Sequence, residues 1–187
     1  MELKKPKVYA TRVLHEARKL KLIEEDLEFP DGHKETWEHV VLKEPGAKVL
    51  AVTDNDELIM VREYRGAAGE YVLRIPTGAI EPGEKPDEAA VRELQEEVGY
   101  FPQTLEFIEE QKPMSTFFKA YAFIFYATNL QKKSLERDAG EQDMQVAHIP
   151  LEKVYEMIFD MEISDPQTIY AILRLRKHLK DKTKNEG

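Results

Sequence analysis

Apolar and polar side chains alternate in short runs through residues 7–14 (KVYATRVL), 21–29 (KLIEEDLEF) and 36–42 (TWEHVVL), with Pro30, Asp31 and Gly32 between the second run and the third. Such alternation, broken by turn residues, predicts three antiparallel strands. The runs 48–53 (KVLAVT), 57–64 (ELIMVREY) and 71–75 (YVLRI) are richer in buried residue types. They read as core strands, the first two joined by a polar turn at Asp54, Asn55 and Asp56. Pro86 suits a first helical position, Asp87 and Glu88 suit the first turn, and Gly99 suits a stop, which predicts a helix over 86–98. Strand patterns return at 105–111 (LEFIEEQ) and 120–128 (AYAFIFYAT), before a helix over 151–161 and a last helix opened by Asp165 and Pro166. The basic tail 176–187 (RKHLKDKTKNEG) is expected to fray into solvent.

Strands mixed with a few helices, without regular β-α-β alternation, predict a mixed α/β (α+β) fold. A mixed sheet carries helices on its faces and follows a small antiparallel lobe over residues 1–45. Open strand edges in that lobe call for a cover, and a second copy of the chain is the simplest one. At 187 residues, 42% hydrophobic and 34% charged, there is room for one well-buried domain beside the lobe. No apolar run reaches the roughly 18 residues of a membrane span. The opening MELKKPKVYATRVL lacks the unbroken apolar stretch of a secretory signal, so a cytoplasmic location is expected. With no cysteine, thiolate metal sites and cysteine nucleophiles are excluded, and any metal must be held by oxygen or imidazole. A net charge of −9 argues against sequence-independent binding to nucleic acid, which needs a basic footprint. An anionic small substrate is compatible with that charge if a metal ion supplies the positive counterpart.

The predicted helix over 86–98 carries Glu93, Glu96 and Glu97 in its final turns, where local energetics disfavours them. Like charges four residues apart repel by about 0.2–0.5 kcal/mol, and negative charge in a last turn opposes the helix dipole. At about 100° per residue, Val91, Leu94 and Val98 share one side and the three acids lie roughly opposite, beside Ala89. The bland account is a solvated face of an acidic protein. The sharper one is a site for a hard divalent cation, because Arg92, four residues before Glu96, cannot alone neutralise three acids.

Spacing decides between these accounts. Residues 78–100 read GAIEPGEKPDEAAVRELQEEVGY, placing Gly78, Glu84, Arg92, Glu93, Glu96, Glu97 and Gly99 in the pattern G-x5-E-x7-R-E-(aliphatic)-x-E-E-x-G. Seven fixed letters at fixed spacing arise by chance in such a chain with a probability of roughly 10⁻⁵ or less. The segment resembles the signature of the Nudix hydrolases, magnesium-dependent enzymes that cleave a nucleoside diphosphate linked to another moiety. Tyr100 stands where the family often has an aliphatic residue. The strand lobe, the strand 57–65, the turn IPTGAIEPGE and the final helix DPQTIYAIL are similar to the branch that hydrolyses ADP-ribose and other ADP compounds.

The resemblance implies an α/β/α sandwich over 46–187 and a homodimer whose lobes, residues 1–45, cross to the partner. It also implies hydrolysis of ADP-ribose or a similar nucleoside diphosphate sugar to a nucleoside monophosphate and a sugar phosphate. Magnesium, with manganese as a substitute, would be held by Glu93, Glu96, Glu97 and the Thr77 carbonyl. Glu84 would support the loop, and Gly78 and Gly99 would shape the motif. Glu141, with Asp143 as second choice, would act as general base; Glu96 and Arg92 complete the implied catalytic set, Arg92 as an orienter of carboxylates. Arg65 is the implied anion-binding residue, while Trp37 and His39, on one face of a strand by period two, would flank a nucleobase across the dimer.

Two departures from the branch leave the second half of the substrate open. Arg74 stands where relatives commonly have glutamate, and PMSTFFKA, from Pro113, replaces a Pro-Gly-x-x-(acidic) loop. Hydrolysis of NADH or diadenosine polyphosphates is the nearest alternative. A nucleotide-sensing module without catalysis is the alternative of another class, disfavoured because a sensor has no need for three repelling acids.

Overall fold

The computed structural model describes residues 4–113, 115–136 and 143–185. Contacts divide the chain into two units, Met1–Pro45 with Gln111–Tyr121, and Gly46–Glu110 with Ala122–Gly187.

In the first unit, β1 (Lys7–Glu16), β2 (Leu20–Glu28) and β3 (Lys34–Leu42) form antiparallel neighbours, and the short β9 (Phe118–Lys119) adds in parallel beside β3 at Val40 and Val41. The Pro30–Gly32 turn expected from sequence lies between β2 and β3, where Gly32 has φ +90°. Trp37 sits directly across from Glu25, and His39 across from Ile23. Phe118 and Lys119 therefore pair with the strand lobe, although their place in the chain is far from it.

The second unit is built from two sheets. One has the order β7 (Thr77–Ala79), β4 (Gly46–Ala51), β10 (Ala122–Lys132), β8 (Tyr100–Gln111), with β4 and β10 parallel. The other has the order β11 (Gln145–Pro150), β5 (Glu57–Arg65), β6 (Glu70–Arg74) and is antiparallel. Period two along β4 sorts its side chains onto opposite faces. Ala47, Val49 and Ala51 join Val61, Ala90 and Leu94 in one core, beneath helix α1 (Pro86–Glu97). Leu50 and Val52 join Leu58, Met60, Ile75, Val154, Ile172 and Leu175 in the other, against α2 (Leu151–Phe159) and α3 (Pro166–Asn185). Helix layers thus flank the sheets, the mixed α+β arrangement that the sequence pattern implies.

The tail does not fray through its described length: α3 continues helically to Asn185. The cause lies in tertiary contacts that a local pattern does not contain. Glu106 on β8 accepts hydrogen bonds from Lys182 and from His178, the latter at 3.1 Å, while Tyr126 packs edge-on to His178 and beneath Lys182. At the other end of α3, Asp165 Oδ2 caps the helix by accepting from the Thr168 backbone N–H at 2.8 Å.

Candidate active site

Helix α1 starts where Pro86 needs no hydrogen-bond partner for its nitrogen, and the Glu88 carboxylate folds back to accept from the Lys85 backbone N–H at 3.2 Å. It ends at Gly99, whose φ of +79° suits glycine; a Cβ there would meet Ser134 Oγ at 2.7 Å. Leu94 and Val98 are buried in the core beneath the helix, as their spacing implies, but Ala89 and Ala90 rather than Val91 join them there; Gln95 is buried too, its side-chain amide donating to the Lys133 carbonyl at 3.2 Å. Docked this way, the helix carries its acids inward: Glu97 has no exposed surface and Glu93 only 5%. A solvated acidic face is thereby ruled out for these two residues.

The loop before the helix comes within contact distance of this acidic row. Gly78 lies so close to Glu93 that a Cβ on it would fall 1.8 Å from the carboxyl carbon, so only glycine leaves room for that carboxylate. The Thr77 backbone N–H donates to Glu97 Oε2 at 3.1 Å. Glu84 accepts from the Glu81 N–H at 2.9 Å and takes a bidentate pair from Arg92 at 2.9 and 3.0 Å. Arg92 thus ties the loop to the helix through Glu84.

Arg92 also reaches three further acceptors. Its Nη1 donates to Glu93 Oε1 at 2.7 Å and to Glu96 Oε2 at 2.9 Å, and its Nη2 donates to the Ala79 carbonyl at 2.9 Å. Burial pushes the Glu93 carboxyl up to about 7, against the pull of Arg92 and with the help of Glu97 and Glu96. Glu84, by contrast, is held below the usual carboxylate range by its hydrogen bonds from Arg92.

A second arginine, Arg74, which stands where the branch commonly has glutamate, lies inside the cluster. Arg74 is 5% exposed, and its Nη2 donates to Glu97 Oε1 at 2.7 Å while its Nε donates to Glu63 Oε2. Its Nη1 donates to the Ile75 carbonyl at 3.0 Å, with longer approaches of 3.4 Å to the Thr77 carbonyl and to Glu97 Oε2. Burial disfavours the Arg74 charge, but Glu97 and Glu63 outweigh it and keep the guanidinium firmly protonated. Arg65 completes the chain of contacts: half-exposed, it donates to the same Glu63 oxygen at 3.2 Å.

Three arginines therefore face five carboxylates, Glu63, Glu84, Glu93, Glu96 and Glu97. The donors are hard oxygens, the residual charge is negative, and the glycine cradle keeps Glu93 against the loop, so the residues fit a divalent cation. Among the described residues no three acids or imidazoles converge as a ready cage, because their oxygens turn onto Arg92 and Arg74. Magnesium does not need one: it is commonly bound through one or two carboxylates, with waters and substrate phosphates completing the octahedron.

The remaining expected residues are placed as follows. Glu141 lies outside the described residues. Asp143, two residues before β11, accepts a hydrogen bond from the Tyr71 hydroxyl at 3.0 Å. Within the strand lobe Trp37 is 43% exposed, whereas His39 is buried, its Nε2 3.1 Å from Glu25 Oε2 and its Nδ1 buried without a partner among the described residues. The rings of Trp37 and His39 meet edge to face at 6.4 Å, and Lys119 donates to the same Glu25 oxygen at 2.6 Å. Glu63 was not anticipated. Its signal was present in the alternation Val61, Glu63, Arg65, which sets an acid and a base on the face that Arg74 shares across the β5–β6 pairing.

The chain is similar to known proteins over most of its length. The family model described as NUDIX domain matches residues 42–171. An ADP-ribose pyrophosphatase of Bacillus subtilis (strain 168) is 33% identical over 172 residues, covering 91% of this chain and 92% of that protein. The ADP compounds hydrolase NudE of Escherichia coli (strain K12) is 30% identical, covering 95% of each. A crystal structure of an ADP compounds hydrolase superposes with a TM-score of 0.85 at 27% identity, covering 97% of this chain and 98% of that one.

Proposed function

Because the chain belongs to the Nudix family, we propose that it is a metal-dependent pyrophosphohydrolase of ADP-ribose or similar nucleoside diphosphate sugars, releasing a nucleoside monophosphate and a sugar phosphate. The observation that carries this reading is the contact of Gly78 with the buried Glu93 carboxylate, inside a signature whose seven fixed positions are all present. The names of the Bacillus and Escherichia relatives support the ADP-containing substrate class.

Magnesium, or manganese in its place, would be held among Glu93, Glu96, Glu97 and the Thr77 carbonyl. Bound there, such an ion lowers the pKa of a water and offsets negative charge on the phosphates. The protein's own groups do the rest. Arg92 fixes Glu93 and Glu96 through one shared nitrogen and anchors the loop through Glu84. Arg65, exposed at the end of β5, would bind a substrate phosphate. Glu141, or Asp143, would accept the proton of the attacking water. Trp37 would stack on the nucleobase, supplied across a homodimer by the partner's lobe. A cytoplasmic location belongs to the same proposal.

A hydrolysis panel tests the reading: ADP-ribose, ADP-glucose, GDP-mannose, UDP-glucose, NADH and diadenosine triphosphate, each with and without magnesium, with products identified. ADP-ribose or an ADP-sugar should be cleaved fastest, yielding AMP and a sugar phosphate only when metal is present. Faster cleavage of NADH or the diadenosine compound would move the substrate class. Tight binding without any cleavage would replace the enzyme by a sensor.

A further inference from the structure

The proposed ligands for a cation are three carboxylates and one carbonyl, and Arg74 already donates to two of these four groups. Its guanidinium meets Glu97 at 2.7 Å and approaches the Thr77 carbonyl at 3.4 Å. It is also pinned from behind, by Glu63 and by the Ile75 carbonyl at 3.0 Å. Guanidinium charge is permanent and its donors are planar and fixed in direction, so a buried arginine so surrounded acts as a stationary cation. A magnesium ion on the same oxygens needs contacts of about 2.1 Å, closer than the guanidinium nitrogen now stands, and would face a like charge beside it. At the opposite end of the row the balance differs, since Glu93 and Glu96 share a single Arg92 nitrogen between two carboxylates.

We propose that Arg74 is a resident cation that stands in for one divalent ion at the Glu97–Thr77 end of the cluster, so that the four groups take one ion fewer and hold what binds toward the Glu93–Glu96 end. Arg74 is in this sense a positioning residue: it sets how many ions the site takes and where they lie, through Glu97 rather than by touching substrate. The inference rests on the reading of the cluster as a metal site, and the experiment separates the two.

Manganese binding to the full-length, metal-stripped chain is counted by electron paramagnetic resonance of free Mn²⁺, for the wild type and for Arg74→Gln, Arg74→Lys and Glu93→Gln. Arg74→Gln should bind one more Mn²⁺ per chain than the wild type, and Arg74→Lys, which keeps the charge, should hold the wild-type count. Equal counts for wild type and Arg74→Gln overturn the proposal. Glu93→Gln should weaken Mn²⁺ binding at least tenfold; if it has no effect, the metal-site reading itself fails, whatever Arg74 does. Should Arg74→Gln not fold even with Mn²⁺, the wild type decides by nuclear magnetic resonance. The Arg74 Nε–H signal, assigned by its loss in Arg74→Lys, should keep its position in saturating Mg²⁺, and its displacement or loss to exchange with water overturns the proposal.

Discussion

Each acid of the row has a different partner, and the differences set what substitutions do. Gly78→Ala puts a methyl group where the Glu93 carboxylate now lies, 1.8 Å from its carbon. Because the obstructed atoms are the end of a flexible side chain, the fold should survive with a loss of about 1–3 kcal/mol. Turnover of ADP-ribose should fall about 10²-fold, the scale expected when a reacting group is misplaced by an ångström; near-normal kcat in a folded Gly78→Ala protein would refute the cradle. Glu97→Gln acts on stability as well as on the metal site. Arg74 and Glu97 form a buried pair with side-chain exposures of 6% and 0%, and removing one charge of such a pair costs roughly 3–5 kcal/mol. Urea midpoints should show this, with a loss under about 1 kcal/mol counting against a structural role for the pair. The acids and Gly78 were legible in the sequence because their spacing is collective: seven positions constrain one another. Arg74 was not, since one arginine in a strand looks like any solvated strand residue until its acceptors, Glu63 and Glu97, are brought in from β5 and α1.

At the scale of elements, α1 was readable because its stop and start are local, Pro86 at one end and Gly99 at the other. The last turns of α3 were not, because what holds them is Glu106, 76 residues before Lys182. The same joint gives a pH prediction. Burial would raise the Glu106 carboxyl, but Lys182 and then His178 outweigh it, so its folded-state pKa lies below the ordinary value. A group depressed on folding contributes stability above its unfolded pKa, about 4.3 for glutamate. That contribution is lost as pH falls from there through the folded value. Glu106→Gln should therefore cost about 1 kcal/mol at pH 7, discounted for a side chain that is 30% exposed. The gap from wild type should shrink as pH drops below about 4.3. Urea titrations at neutral and acid pH measure it, and a gap that stays constant into the acid range would assign the effect to packing rather than charge.

For the whole molecule, the strand lobe poses a solubility problem that sequence alone could state and a monomer does not solve. β1 lies at the edge of its sheet, and Val8, Tyr9, Val13 and Leu14 on it are each at least 46% exposed. Pairing slips between Val8 and Ala10 and between Val13 and His15 spread these side chains over both faces of the strand. An edge of this kind invites another chain, and blunting it with charge is the usual remedy; Arg12 does not serve as one here, because Glu24 and Asp26 neutralise it. What the sequence did not disclose is that Gln111–Tyr121 belongs to this unit and that Phe118 and Lys119 in it pair beside β3, since a two-residue strand has no pattern to read. If the apolar strand is a dimer surface, Val13→Asp should weaken self-association at least tenfold, because a charge buried at an interface core costs more than about 1.4 kcal/mol. Sedimentation at micromolar concentration should then show a dimer for the wild type and a monomer for the variant, with the hydrolytic rate falling as the dimer is lost. A wild type that is already monomeric and fully active would mean that the nucleobase is not held by a partner's lobe, and Trp37 would need another role.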